Sequence, residues 1–406
     1  MSDEPQSLEC IMSGPLEGIR ILDASAVVSG PLAAMILGDQ GADVIKVEPL
    51  AGEVVRQPNF ERGGLSSLFM NCNRNKRAIA IDLGAPEGAE VVHKLIEQSD
   101  VFIQNWRPGA AERVGLGEAE LRALNPDLIY CSISGYGPTG PYADRRVYDP
   151  MIQGLTGHVA VQISPELPIR DVVRNIVADK STAYTAAQAI TSALFARDRG
   201  AGGQLIEVPM IDASLAFFWP DGMIKHTHVD GEEVQGVAIY EAYRLWHTKD
   251  GQILYFAASQ AENEALFKAL DHPEWLEDPR FSTFEARLSD ESRETLGVLI
   301  DDAIRSHTTE ELLRKMLDND VPAGGVLELE DLPNDPQLQH NESIMEFEHP
   351  SAGKYRQARP AARFHATPQD ARRQLPPLLG EHTDEVLAEL GYDSESVAAL
   401  RGKGII

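Results

Sequence analysis

Short apolar runs bounded by Gly, Pro and polar residues recur through the first half of the chain. Ile19 to Asp23, Asp43 to Glu48, Arg77 to Leu83, Asp100 to Gln104 and Asp127 to Ile133 each read as a strand buried on both faces. Between them the period changes. Gly30-Pro31 opens a helix, and Pro86 to Ser99 repeats its apolar positions at helical spacing. Such β-α-β alternation predicts an α/β fold, a parallel sheet with helices on both faces, whose ligands sit in the crevice at the carboxyl ends of the strands. Val173 to Ala178 reads as a further short strand, followed by an Ala-, Thr- and Ser-rich helix from Lys180 to Arg197, a strand from Gln204 to Pro209 and a helix from Ile211.

The texture changes at Asp221, where a polar stretch reads as a linker. A second, smaller α/β unit begins near Tyr240, with a strand at Gln252 to Ala257, a helix at Glu262 to Leu270 and charged helices from Arg293 to Asp318. After Gly325 the tail is rich in Pro, Gln and Arg and ends in two helical stretches, Asp384 to Leu390 and Ser394 to Arg401. The expected organisation is therefore a large domain over 1–220, a linker over 221–239, a small domain over 240–325, and a segment over 326–406 that returns to the large domain.

Composition narrows the partners. The 406 residues carry a formal charge of -27, so the mean field repels nucleic acid and anionic membrane, and an anionic ligand needs a local cluster of cations. Cys10, Cys72 and Cys131 show no paired metal spacing and no disulfide framework. The acidic start Met1-Ser-Asp-Glu-Pro5 has no apolar leader core, and nowhere do 18 apolar residues run together. A cytoplasmic location without a membrane partner or a metal is the expectation.

Asp179 stands at a predicted strand-to-helix joint, where unpaired amides and the helix dipole favour the ionised carboxylate. In a pocket it is a poised nucleophile; elsewhere it simply caps its helix. Three basic clusters lie beside strand ends: Asn73-Arg-Asn-Lys-Arg77, Asn105-Trp-Arg-Pro-Gly109 with Arg113, and Arg145-Arg146 before Tyr148. They suit a phosphorylated ligand, with Trp106 placed to stack on a planar base, or else they pair with the abundant Asp and Glu. The first turn, Asp23 to Pro31, lacks the G-x-G-x-x-G fingerprint, which argues against a dinucleotide cofactor and an oxidoreductase.

Five stretches resemble the family III CoA-transferases: Pro15-Leu-Glu-Gly-Ile-Arg-Ile-Leu-Asp23, Gly41-Ala-Asp-Val-Ile-Lys-Val-Glu48, Asn73-Arg-Asn-Lys-Arg-Ala-Ile-Ala-Ile-Asp82, Ser134-Gly-Tyr-Gly-Pro-Thr-Gly-Pro141 and Pro377-Leu-Leu-Gly-Glu-His-Thr-Asp-Glu-Val386. The resemblance runs from Pro15 to Ile406. It implies a Rossmann-like large domain built from both ends of the chain, with a smaller domain between them, in a homodimer of two interlocked rings. It also implies Asp179 as nucleophile, coenzyme A bound by Val27, Asn75, Lys76, Asn105, Trp106, Arg107, Arg113 and Arg146, and Tyr148 beside the thioester. Acyl-CoA and a small carboxylic acid are then the substrates, with no permanently bound cofactor. The motif pattern looks most like relatives that move CoA between dicarboxylic acids from succinyl-CoA.

The same family holds alpha-methylacyl-CoA racemases, which resemble this chain but place a histidine where Val147-Tyr-Asp-Pro150 has Tyr148. Unperturbed tyrosine, which titrates at about 10, is a poor base at neutral pH, which favours the transferase. A non-catalytic CoA-binding protein is the reading from another class. The tetraglycine loop of formyl-CoA transferase has no equivalent around Gly236 to Tyr243, and Tyr240 and Tyr243 are candidates for the acyl pocket. Glu381-His382 belongs to a family signature and receives no catalytic task, while Thr383 reads as a helix cap.

Overall fold

The computed structural model describes residues 14–57, 59–163, 169–229 and 236–406; Cys10, the N-terminal Met1–Pro5 and residues 230–235 of the expected linker lie outside them. Two compact units emerge. The first gathers the described residues up to Thr156 with Val172–Phe217 and Gln337–Ile406, and the second gathers those of Gly157–Asp171 and Phe218–Pro336.

The first unit is built on six parallel strands: β1 (Arg20–Asp23), β2 (Asp43–Glu48), β3 (Lys76–Ala80), β4 (Val101–Gln104), β5 (Ile129–Ser134) and β6 (Leu205–Pro209). Their order across the sheet is β3-β2-β1-β4-β5-β6. Chain direction across the sheet reverses between β1 and β4, and that switch point opens the ligand crevice of a doubly wound fold. Alternate residues of each central strand enter different cores. Ile21, Val101, Ile103, Ile129 and Cys131 pack on one face, while Leu22, Phe102 and Tyr130 pack on the other. This two-sided burial explains why the strands read as continuous apolar runs.

Helix α1 (Ser29–Asp39) and the 20-residue helix Val177–Ala196 share one face through small side chains: Ala33 and Ala34 against Ala183, Ala186, Ala187 and Ile190, all buried. Residues at i, i+3 and i+4 form this seam, and alanines let the two backbones approach closely. The expected strand Val173 to Ala178 is absent. The Gln153 side chain takes up the Val173 backbone instead, accepting its N–H at 2.9 Å and donating to its carbonyl at 3.2 Å. The chain then turns at Ile176, and the helix starts at Val177, so Asp179 is its third residue rather than its flank.

The returning segment covers the free edge of β3, which otherwise exposes unpaired backbone groups. Asn75 N–H donates to the Gln374 carbonyl at 2.9 Å, His382 N–H to the Ala78 carbonyl at 2.9 Å and Asp82 N–H to the Ile405 carbonyl at 2.8 Å. The Ala78 N–H donates back to His382 Nδ1 at 3.2 Å, so His382 works as a sheet-edge residue. Thr383 accepts from the Ala80 N–H at 3.2 Å and is itself the first residue of a helix, not its cap.

The second unit holds a three-stranded antiparallel sheet, Ala323–Gly325, Gln252–Tyr255 and Trp246–His247, with helices Gln260–Ala269, Asp290–Arg305 and Thr309–Asp318. Ile253, Phe267, Phe281, Ile304 and Met316 form its core. Within the described residues no helix is long and apolar enough to cross a membrane.

Candidate active site

Three loops meet at the carboxyl ends of β1, β4 and β5. After β1 the chain makes a turn whose amides are consumed in succession: Ala24 N–H by the Ile103 carbonyl at 2.9 Å, Ser25 N–H by Asp23 at 3.0 Å, Ala26 N–H by Asn105 Oδ1 at 2.9 Å, and Val27 N–H by Glu53 at 2.6 Å. Val27 sits at φ 70°, a left-handed conformation in which a β-branched residue stores on the order of 1–3 kcal/mol. The first turn of α1 follows at once. A Cβ on Gly30 would lie 2.2 Å from the Ser25 hydroxyl, so only glycine lets the turn fold back onto the helix. No side chain caps α1 at Val28, which leaves its first amides directed at whatever stands before them.

What stands before them is Asp179, 8% exposed. The alternative in which it caps its own helix is excluded by geometry. Asp149, buried at the start of the helix Asp149–Leu155, accepts the N–H groups of Ala178 and Asp179 at 2.7 and 3.1 Å. Burial, reinforced by the nearby Asp149 charge, pushes the Asp179 carboxyl up to about 6, against the pull of the Ser29 hydroxyl and N–H. No lysine or arginine contributes to that balance.

Asp179 opens onto a cavity of about 440 Å³ that straddles the switch point. Its walls include Val27 and Ser29 from the first turn, Asn105, Trp106 and Arg107 after β4, Ser134 and Gly135 after β5, and Arg145, Arg146 and Tyr148 from the following loop. Asn105 clamps Ala26 with both ends of its amide, donating to the carbonyl at 2.7 Å. Trp106 is half-buried, and Tyr148 is 62% exposed. Arg145 lies flat on the Tyr142 ring at 3.7 Å from its centroid. Arg107 and Arg146 are exposed, and neither has an ion pair among the described residues. Arg113, also exposed, is not a wall of the cavity; its guanidinium lies 3.4 Å from where a Cβ on Gly109 would be, over the loop that carries Arg107.

The Asn73 to Arg77 cluster has a different fate. Lys76 is 0% exposed. Its ammonium donates to Asp23 at 2.8 Å, to the Pro31 carbonyl at 2.8 Å and to Asn73 at 2.7 Å, which uses all three protons. Asn75, equally buried, donates to Asp39 at 2.9 Å and accepts from Gln374 N–H at 2.9 Å. Neither lines the cavity. The polar groups of both, expected as coenzyme A contacts, are engaged inside the protein. Arg74 is paired with Asp39 and Arg77 with Asp43, Glu385 and Glu389. Tyr240 and Tyr243 belong to the second unit, where Tyr243 packs edge-on against Phe256. Ser29, Asp149 and Glu53 were not singled out from sequence; only the Asp149-Pro150 pair, a common helix opening, carried a local signal. Among the described residues no group of three or more His, Cys, Asp and Glu is arranged to hold a metal.

A doubly wound sheet thus carries a buried carboxylate and unpaired arginines at its switch point, an arrangement suited to an anionic ligand. The chain matches the model of CoA-transferase family III over residues 16–383 and belongs to that family of enzymes. It is 32% identical to a human succinyl-CoA:glutarate CoA-transferase, covering 97% of this chain and 90% of that one. It is 30% identical to a formyl-CoA:oxalate CoA-transferase of Rhodopseudomonas palustris, covering 97% and 98% respectively. A crystal structure of a CAIB/BAIF family protein from Brucella suis is similar at a TM-score of 0.79 and 30% identity, over 93% of this chain and 100% of that one.

Proposed function

We propose that this CoA-transferase works through a covalent intermediate on Asp179, moving CoA between small dicarboxylic acids with succinyl-CoA as donor. The observation that carries the reading is a buried carboxylate without a cationic partner, facing an uncapped helix start at the wall of a cavity rimmed by free arginines. With its carboxyl pushed up to about 6 by burial, Asp179 is still mostly ionised at pH 7, yet more basic and less solvated than a surface carboxylate.

One oxygen of Asp179 attacks the thioester carbonyl; the C–S bond breaks, giving an aspartyl anhydride and CoA thiolate. The thiolate then attacks the Asp179 carboxyl carbon, the donor acid leaves, and an aspartyl-CoA thioester remains. The acceptor carboxylate repeats both steps in reverse and restores Asp179. Amides aimed at the developing oxyanion and exclusion of water supply the stabilisation a weak nucleophile needs, and the Ser29 N–H is one such donor.

Val27, Asn105, Trp106, Arg107 and Arg146 are the proposed CoA contacts, with Arg113 beside them and Asn75 and Lys76 supporting them from the interior. Tyr148 flanks the thioester. The dicarboxylate reading draws on the succinyl-CoA:glutarate relatives. Tyr240 and Tyr243 as acyl-pocket residues, and an interlocked homodimer readable as a sedimentation mass of two chains, complete the proposal.

Incubation with succinyl-CoA, trapping with hydroxylamine or borohydride, and peptide mass spectrometry are expected to mark Asp179. A label on any other residue, or none while succinyl-CoA and glutarate exchange, rejects the covalent route.

A further inference from the structure

Glu53 is buried, lies outside the five stretches that carry the family resemblance, and takes no part in the chemistry above. Its two oxygens do different things. Oε1 is 2.8 Å from the Lys46 ammonium, which also donates to the Ser25 carbonyl at 2.9 Å. Oε2 accepts the Val27 N–H at 2.6 Å, on the one residue of the turn that has a left-handed backbone without being glycine.

That turn ends two residues later at Ser29, which lines the same cavity as Asp179 and whose hydroxyl and N–H draw its carboxyl down against the effect of burial. A valine left to itself abandons positive φ, because its branched Cβ clashes there. The neighbouring amides are already fixed by Asp23 and Asn105, so relaxation at Val27 would be felt mainly on its C-terminal side, at Val28 and Ser29.

We infer that Glu53 is a positioning residue for the reaction: its carboxylate holds Val27 in the left-handed conformation that aims the first turn of α1 at the Asp179 carboxylate. The inference rests on Asp179 being the reacting group, but it is read through turnover, whereas the nucleophile is read through trapping, so the two fail separately.

Glu53→Gln keeps the volume but serves Lys46 and Val27 with a single acceptor oxygen, and is expected to lower kcat for succinyl-CoA and glutarate, or whichever acyl-CoA and acid the wild type exchanges fastest, at least tenfold. Val27→Gly added to that variant should recover most of the loss, since glycine occupies positive φ without an acceptor to hold it. A residue that merely balances Lys46 behaves otherwise: the glycine then adds damage of its own, and the double variant turns over no faster than E53Q. That result, or wild-type kcat in E53Q, overturns the inference. Should E53Q alone fail to fold, a folded and active double variant still supports it, and a double variant that also fails to fold refutes it.

Discussion

Two sets of charged side chains flank the turn after β1, and they are built on opposite plans. On the interior side Asp23, Glu48 and Glu53 meet Lys46, Lys76 and Arg56, all buried and every anion within reach of a cation. Burial alone would raise the Asp23 carboxyl, but Lys76 and Lys46 outweigh it and hold the group below the usual range. On the cavity side Asp179 has no cation, and Arg107 and Arg146 have no anion among the described residues. Residues of the same types, on either side of one turn, thus serve the fold where their charge is matched and, on the proposed reading, are left for a ligand where it is not. An acidic chain makes this contrast sharper, since an arginine without a carboxylate partner has been kept from many available ones.

The largest effect should come from breaking a matched pair. Lys76→Ala leaves the buried Asp23 carboxylate with only Lys46, 4.0 Å away, as counter-charge and strips the Pro31 carbonyl and Asn73 of their donor, a loss of roughly 3–5 kcal/mol of folding stability. A urea melt reads it. If K76A melts like the wild type and only its KM for acyl-CoA rises, Lys76 belongs with the ligand-facing set and the division between the two sides collapses.

Removing the unmatched anion should do the reverse to stability. A carboxyl raised from 3.8 to about 6 favours its protonated form in the folded state, so its contribution to stability is full below pH 3.8 and drains away as pH rises through 6. Asp179→Asn never ionises and escapes that loss. The variant should be inactive but more stable than the wild type at pH 8 by up to about 3 kcal/mol, and the gap should narrow by roughly half at pH 5. A gap that widens on acidification would mean that the carboxylate is stabilised in its site, as Asp23 is, and that no destabilised nucleophile exists there.

This division also marks how far the sequence could be read. The strands of the main sheet are legible because residues buried on both faces must be apolar throughout, and the switch point follows from their order. Asp179 and the Asn105 to Arg107 and Arg145-Arg146 clusters were visible as chemistry next to strand ends. The role of Asn73 to Arg77 was not, because nothing local to that run reports Asp23, Asp39, Glu385 or Glu389, and the last two lie 308 and 312 residues away. Val173 to Ala178 has a strand's composition and loses its ladder to one glutamine side chain. The cap that frees Asp179 comes from Asp149, 30 residues earlier, and only tertiary packing brings it there.

The smallest effects should come from the free arginines taken singly. Each can offer a phosphate a charge-assisted hydrogen bond, worth about 1.5 kcal/mol at the low end, or roughly tenfold in KM. Arg107→Ala and Arg146→Ala should raise the KM for acyl-CoA by about that factor, with folding stability changed by no more than about 0.5 kcal/mol, because no internal partner loses its counter-charge. The loss should shrink at high salt, where the wild-type contact is itself screened. It should also vanish with an acyl-pantetheine substrate, which presents the thioester to Asp179 but carries no phosphate for an arginine to hold. If R146A instead weakens the pantetheine reaction as much as the CoA reaction, Arg146 acts at the acyl end, and the cavity side divides again into a nucleotide rim and a carboxylate-binding floor.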